Sequence, residues 1–128
     1  MQIVAALFAE DLEVREVEGP STRLDIRGIK FSEAPSSGYP IAIEPHLFVI
    51  VRCGTEDDQN AVLQVLFMRD GEQLARNVQP LMIEPGKFAY RLVRAELNFD
   101  APGVVEAHCS VDQGEPTIVP FTLMEPAE

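Results

Sequence analysis

Short stretches of alternating apolar and polar residues run the length of this chain, and turn-forming residues punctuate them about every ten positions. Successive side chains on a strand point to opposite faces, so alternation marks strands with one buried face. No segment shows a convincing helical period. The pattern predicts an all-β chain: an antiparallel, Ig-like β-sandwich of about seven to nine strands, one domain over residues 1–128.

Residues 2–9 read as a strand apolar on both faces, and 12–18 as a short strand. Gly19-Pro20-Ser21 turns the chain into an alternating stretch over 23–30, where Gly28 suits a strand end or bulge. Residues 31–42, with Pro35, Gly38 and Pro40, form a long loop. Two strong strands follow at 46–53 and 61–68, separated by the acidic loop 54–60. Asp70-Gly71 makes a tight hairpin into 72–77, because both residues tolerate positive φ. A short strand is expected at 79–84 before Pro85-Gly86. Residues 87–99 change phase midway, which in one continuous strand predicts a β-bulge. Residues 104–112 pair with 115–124 across Gln113-Gly114. Pro120 cannot donate to a ladder, so it belongs on an edge or at a bulge, and 125–128 read as a frayed tail.

Three of these stretches carry a resemblance. They are Ala5 to Glu10 with Arg23-Leu24-Asp25-Ile26-Arg27-Gly28, then Leu47 to Arg52 leading to Met68-Arg69-Asp70-Gly71, and the Pro102-Gly103 hairpin with its closing strand. In this order they resemble an uncharacterised bacterial family of small Ig-like β-sandwich proteins. The resemblance implies the sandwich and transfers no functional residue. True immunoglobulin domains match less well: the chain lacks Trp, and Ala107 stands where a tyrosine corner would place Tyr.

Charge narrows the function classes. Lys and Arg number 10 against 21 Asp and Glu, a net charge of −11. Such a surface repels phosphate backbones and anionic lipid, so neither nucleic acid nor membrane is an expected partner. The apolar run at residues 3–9 is short, has no preceding positive charge and is followed by Glu10 and Asp11. These flanks are the reverse of a signal peptide's and predict a cytoplasmic protein. Cys53 and Cys109 then read as two buried thiols; whether they lie close enough to bridge is left open.

Catalytic and metal chemistry find little purchase. His46, Cys53, His108 and Cys109 are the four soft ligands, but adjacent His108 and Cys109 diverge on a strand, so no zinc site and no cofactor is expected. Ser110, Cys109 and His108 are consecutive and diverge likewise. With no nucleophile elbow or Gly-rich phosphate loop, the chain reads as non-enzymatic. Glu56, Asp57 and Asp58, joined by Asp100 if its turn lies at the same end, form a candidate ion loop suited to calcium.

The sharpest expectation concerns the second face of the two strong strands. A two-layer sandwich leaves one face of each sheet polar, yet Phe48, Ile50, Val62, Leu66 and Met68 would decorate it. As one exposed apolar patch they predict a protein-interaction or assembly module, paired with itself as a homodimer or with another protein. The alternative is a small-ligand or calcium-binding sandwich working through its loops. On the patch reading, Phe48→Glu leaves the fold intact and abolishes association.

Overall fold

A computed structural model describes residues 1–19 and 21–126, with Thr22 described by its backbone alone. Pro20 of the expected first turn, and the last two residues of the expected tail, lie outside the described residues. Eleven strands are present: β1 (Gln2–Val17), β2 (Ser21–Ile29), β3 (Ser32–Glu33), β4 (Ile41–Ile43), β5 (His46–Arg52), β6 (Asn60–Arg69), β7 (Glu72–Met82), β8 (Phe88–Arg94), β9 (Leu97–Phe99), β10 (Gly103–Val111) and β11 (Thr117–Leu123). They form two main sheets, ordered β2-β1-β5-β8 and β3-β11-β10-β6-β7, with β4 and β9 as a small third pair. The chain passes from the four-stranded to the five-stranded sheet after β2, returns through β4 to β5, crosses again after β5 and β7 and passes through β9 to β10, with hairpins at β1-β2, β6-β7 and β10-β11. This is the Greek-key connectivity of an Ig-like sandwich. The ladders are antiparallel except that β3 runs parallel to β11.

The inner faces follow the alternation in the sequence. Leu47, Val49 and Val51 of β5 meet Leu63, Val65 and Phe67 of β6, all fully buried, with Val105, Ala107 and Cys109 of β10 and Phe121 and Leu123 of β11. Phe8 and Phe121 bridge the sheets, their ring centroids 5.1 Å apart at a tilted angle that suits the ring quadrupoles.

Four expectations change. Residues 2–17 are one strand rather than two. Residues 72–82 are likewise continuous, since both arms expected there pair with β6. The long loop 31–42 contains β3 and leads into β4. The phase shift within 87–99 is no bulge: the chain leaves β5 after Arg94 and resumes at Leu97 against β4, so the two parities belong to different ladders. Pro120 fits its expectation, because β3 reaches only Thr122 and Leu123 and leaves the edge open beside it.

The hairpin built on β1 and β2 sets this sandwich apart from a two-layer one. The first half of β1 pairs with β5, from Gln2 opposite Arg52 to Ala9 opposite His46, and the second half pairs only with β2. The β1-β2 ladder skips Glu10 opposite Gly28. Gly28 has φ +66°, a conformation glycine adopts without strain, and it lies against the Glu10 side chain where the ladder is interrupted. Beyond the bend the hairpin is amphipathic: Leu12 pairs with Ile26 and Val14 with Leu24, while Glu13, Arg15, Asp25 and Arg27 occupy the other face. Arg15 donates to Asp25 at 2.9 Å and Arg27 to Glu13 at 3.3 Å. The apolar face turns back over the outer side of the four-stranded sheet, where Val14, Leu24 and Ile26 share a cleft of about 390 Å³ with Ile50, Phe88 and Tyr90.

The sandwich side between β7 and β8 is closed by amides. Gln79 of β7 donates to the Leu92 carbonyl at 2.9 Å, and Asn77 to the Arg94 carbonyl at 3.4 Å, so edge carbonyls of β8 are occupied.

Phe48, buried beneath this hairpin, should behave as a core residue. Phe48→Ala should cost about 3–5 kcal/mol in urea unfolding, whereas Val62→Ala on the open sheet should stay within about 0.5 kcal/mol.

Candidate functional site

The five residues expected to form one patch divide between the two sheets. Phe48 and Ile50 lie on β5 in one sheet; Val62, Leu66 and Met68 lie on β6 in the other. Both sets point away from the shared core, so they face opposite sides of the sandwich and cannot meet. Phe48 is 2% exposed and stands outside the main core cluster. It lies in a row with Leu7 of β1 and Leu92 of β8, under the third layer. Ile50 is half-buried between Ala5 and Tyr90. The expectation for Phe48→Glu is therefore corrected: a carboxylate there would be placed in a covered apolar row and would unfold the chain rather than leave it intact.

In the β6 half of the patch Val62 is exposed and Leu66 and Met68 are half-buried, and more residues share their face than expected. Across β11, β10, β6 and β7 the ladder aligns Ile118, His108, Leu66 and Arg76 in one row. The next row is Pro120, Glu106, Met68 and Gln73. Val62 opposite Pro80, Gln64 opposite Val78, and Val104 extend the same face. Val62 is 44% exposed and Ile118 48%, and Val78, Val104 and Met82 are exposed as well. The alternation that buries Leu63, Val65 and Phe67 puts these residues outside.

Polar groups on this face are tied to one another. His108 Nε2 lies 3.2 Å from Glu106 Oε1, and Arg76 donates to Gln64 Oε1 at 3.1 Å. Apart from Glu106, its two central rows carry no carboxylate, in a chain of net charge −11. The contributions of Val78, Pro80, Val104 and Ile118 were hidden in the sequence because they lie on three strands far apart in the chain. Only the cross-strand register gathers them.

The candidate ion loop is taken apart. Asp57 Oδ2 accepts from the Gly54 backbone N–H at 2.9 Å and lies 3.1 Å from the Met1 amino group. These donors, the backbone N–H foremost, hold its carboxyl below the usual range. Asp58 Oδ1 accepts from Asn60 N at 2.9 Å. Both carboxylates thus serve the turn into β6. Asp100 is at the far end of that strand: Arg69, the last residue of β6, donates to the Ala101 carbonyl at 2.8 Å and stacks over Phe99 at 5.2 Å. Nine residue steps of strand separate Asn60 from Arg69, roughly 30 Å, so Asp100 cannot join Glu56, Asp57 and Asp58 on one ion. Among the described residues no group of three His, Cys, Asp or Glu could hold a metal.

The cysteines are unbridged and buried. Burial pushes the Cys109 thiol up to about 12, which removes thiolate at neutral pH. A cleft of about 320 Å³ lies where the β1 bend meets the loop before β5. Glu10, Lys30, Glu33, Glu44 and His46 line it over Phe8 and Phe121, and Lys30 pairs with Glu33 at 3.2 Å. Its lining holds His and carboxylates without a Ser, Thr or Cys nucleophile.

Among the described residues no helix is long and apolar enough to cross a membrane. No family model matches the chain, and no curated protein matches it.

Two outcomes follow from these placements. Calcium titrated into the protein by calorimetry should give no saturable heat. Acidification should remove the stability that Asp57 contributes: its carboxyl is depressed in the folded state, so the contribution is present above the unfolded pKa and lost as pH falls through the folded value. Asp57→Asn should therefore flatten the loss of melting temperature on going from neutral to acidic pH.

Proposed function

We propose that this protein is a non-enzymatic interaction module whose working surface is the outer face of the five-stranded sheet. The supporting observation is the group of exposed apolar residues on that face, Val62, Val78, Val104 and Ile118, which none of the described strands covers. The other outer face is covered by the β1-β2 hairpin over Phe48, at 2% exposure, and exposes Phe88 and Val14 at the mouth of its cleft. Leaving such residues exposed together forgoes about 25 cal/mol for every Å² that a covering surface would bury. Exposed apolar residues gathered on one sheet face, with polar groups among them, are the composition of a contact site.

The composition of the face fits that role. It has an apolar centre at Leu66 and Met68, and it carries a paired His108–Glu106 and a bonded Arg76–Gln64. Interfaces combine an apolar core with satisfied polar groups in the same way. The partner is protein rather than nucleic acid or anionic membrane, because the net charge of −11 opposes both of those. Two buried, unbridged thiols suit a reducing compartment, and we place the protein in the cytoplasm.

Site-specific photo-crosslinking in the cell that makes the protein tests this reading. A photoreactive side chain at Leu66 or Val62 should give discrete crosslinked products, while one at Arg23 on the charged face of the hairpin should give none. Equal crosslinking from both positions, or none from Leu66, contradicts it.

A further inference from the structure

We propose that the cleft between the β1-β2 hairpin and the four-stranded sheet binds an uncharged aromatic small molecule, with Phe88 at its mouth and Tyr90 as its one polar side-chain contact. This site is separate from the open face of the other sheet.

The register places the cleft. On the outer face of the four-stranded sheet Phe48 pairs with Leu92, Ile50 with Tyr90 and Arg52 with Phe88, in three successive rows. The hairpin covers the first row, where Phe48 is buried. Beyond that row the roof and the sheet part. Val14, Leu24 and Ile26 from the hairpin and Ile50, Phe88 and Tyr90 from the sheet line a space of about 390 Å³. Past Glu10 and Gly28 the backbone of the hairpin pairs only with itself, so side-chain packing alone sets its height over the sheet. The arm can settle onto an occupant without breaking a backbone hydrogen bond to the sheet.

Size selects a small molecule. One turn of helix, about 10 Å across and about 5.4 Å long, takes about 420 Å³. An extended segment takes roughly 160 Å³ per residue, from spacings of about 3.3, 4.8 and 10 Å. The cleft therefore holds one helical turn or about two strand residues, too little to anchor a protein, whereas spaces of about 300–1,000 Å³ hold drug-sized ligands.

The lining selects the chemistry. Lys and Arg number 10 in this chain and Asp and Glu 21, yet none of them lines the cleft. The hairpin turns Glu13, Arg15, Asp25 and Arg27 to its other side, where they form two ion pairs. A charged group carried inside would lose its hydration and find no partner. Phe88 and Tyr90 are two residues apart on β8 and share the outer face of the sheet, with Phe88 71% exposed. Their rings offer stacked or edge-to-face contact to an aromatic ligand. The Tyr90 hydroxyl is the only polar side-chain group of the lining and supplies one hydrogen bond.

The test titrates the full chain with N-phenyl-1-naphthylamine, an uncharged aromatic amine whose fluorescence rises on leaving water. The same rings carrying a sulfonate, 8-anilinonaphthalene-1-sulfonate, serve as the charged counterpart. The uncharged probe should bind saturably at one site, and the sulfonate about tenfold more weakly or worse. Phe88→Ser, at an exposed position, should keep the fold by circular dichroism and weaken the uncharged probe about two- to tenfold, the worth of one aromatic contact. Phe31→Ser removes an exposed aromatic ring elsewhere and should leave the affinity unchanged. Hydrogen exchange locates the site without any substitution: saturating probe should slow the amides of residues 12–17 and 23–27 and leave β6 and β7 as they were. Absence of saturable binding overturns the proposal. Equal affinity in Phe88→Ser and wild type, or protection of β6 and β7 in place of the hairpin, overturns the cleft as the site. A sulfonate that binds as tightly as the uncharged probe overturns the ligand class. None of these outcomes bears on the crosslinks expected from Leu66, which test the open face.

Discussion

Phe48 points away from the core and is buried all the same. A sheet in a two-layer sandwich gives one face to its partner and one to water, so an apolar row such as Leu7, Phe48 and Leu92 on the second face needs a third layer. The chain supplies it from its own first strand. β1 runs past the end of β5, bends where Glu10 faces Gly28, and returns as an amphipathic hairpin with Leu12, Val14, Leu24 and Ile26 on one side. Burying one large apolar side chain contributes about 1.5–3 kcal/mol, so the covered row is a second apolar cluster rather than a surface detail. The proposed function follows from that arm covering the Phe48 row, though not Phe88, while Val62, Val78, Val104 and Ile118 of the other sheet stay exposed.

The ends of the sandwich are fixed by different chemistry. At one end Asp57 and Asp58 bond the backbone of the turn that leads into β6. At the other, Arg69 reaches the carbonyls of Ala101 and Pro102 and lies over Phe99. A Cβ on Gly103, which has φ +155°, would be 2.5 Å from the Arg69 guanidinium, so glycine there admits the arginine. Between these ends, Asn77 and Gln79 close one lateral edge. Asp57 and Asp58, whose placement in sequence suggested ion binding, are thus spent on loop geometry.

Local pattern made much of the fold legible. The parity of Leu63, Val65 and Phe67, the Asp70-Gly71 turn and the Gln113-Gly114 turn depend on near neighbours, and each reads directly from the residues. What stayed hidden was long-range. Phe48 and Ile50 share a parity argument with Val62, Leu66 and Met68, yet β5 and β6 join different sheets, a fact of strand pairing and not of periodicity. The same holds for Asp100: its turn is acidic like residues 56–58, but the length of β6 keeps them apart. Residues 12–17 and 23–29 read correctly as strands, and their turning back as a roof depends on a bend that one glycine marks only weakly. Half of the candidate face was found, through β6; the half from β7, β10 and β11 required the register.

Hydroxyl-radical footprinting measures both outer faces at once. The account predicts that Phe48 is protected in the folded protein while Val62, Val104 and Ile118 are labelled, with Phe31 and Phe88 as exposed references. Labelling of Phe48 to the level of Phe88, or protection of Val62 and Ile118 in the isolated protein, would contradict it.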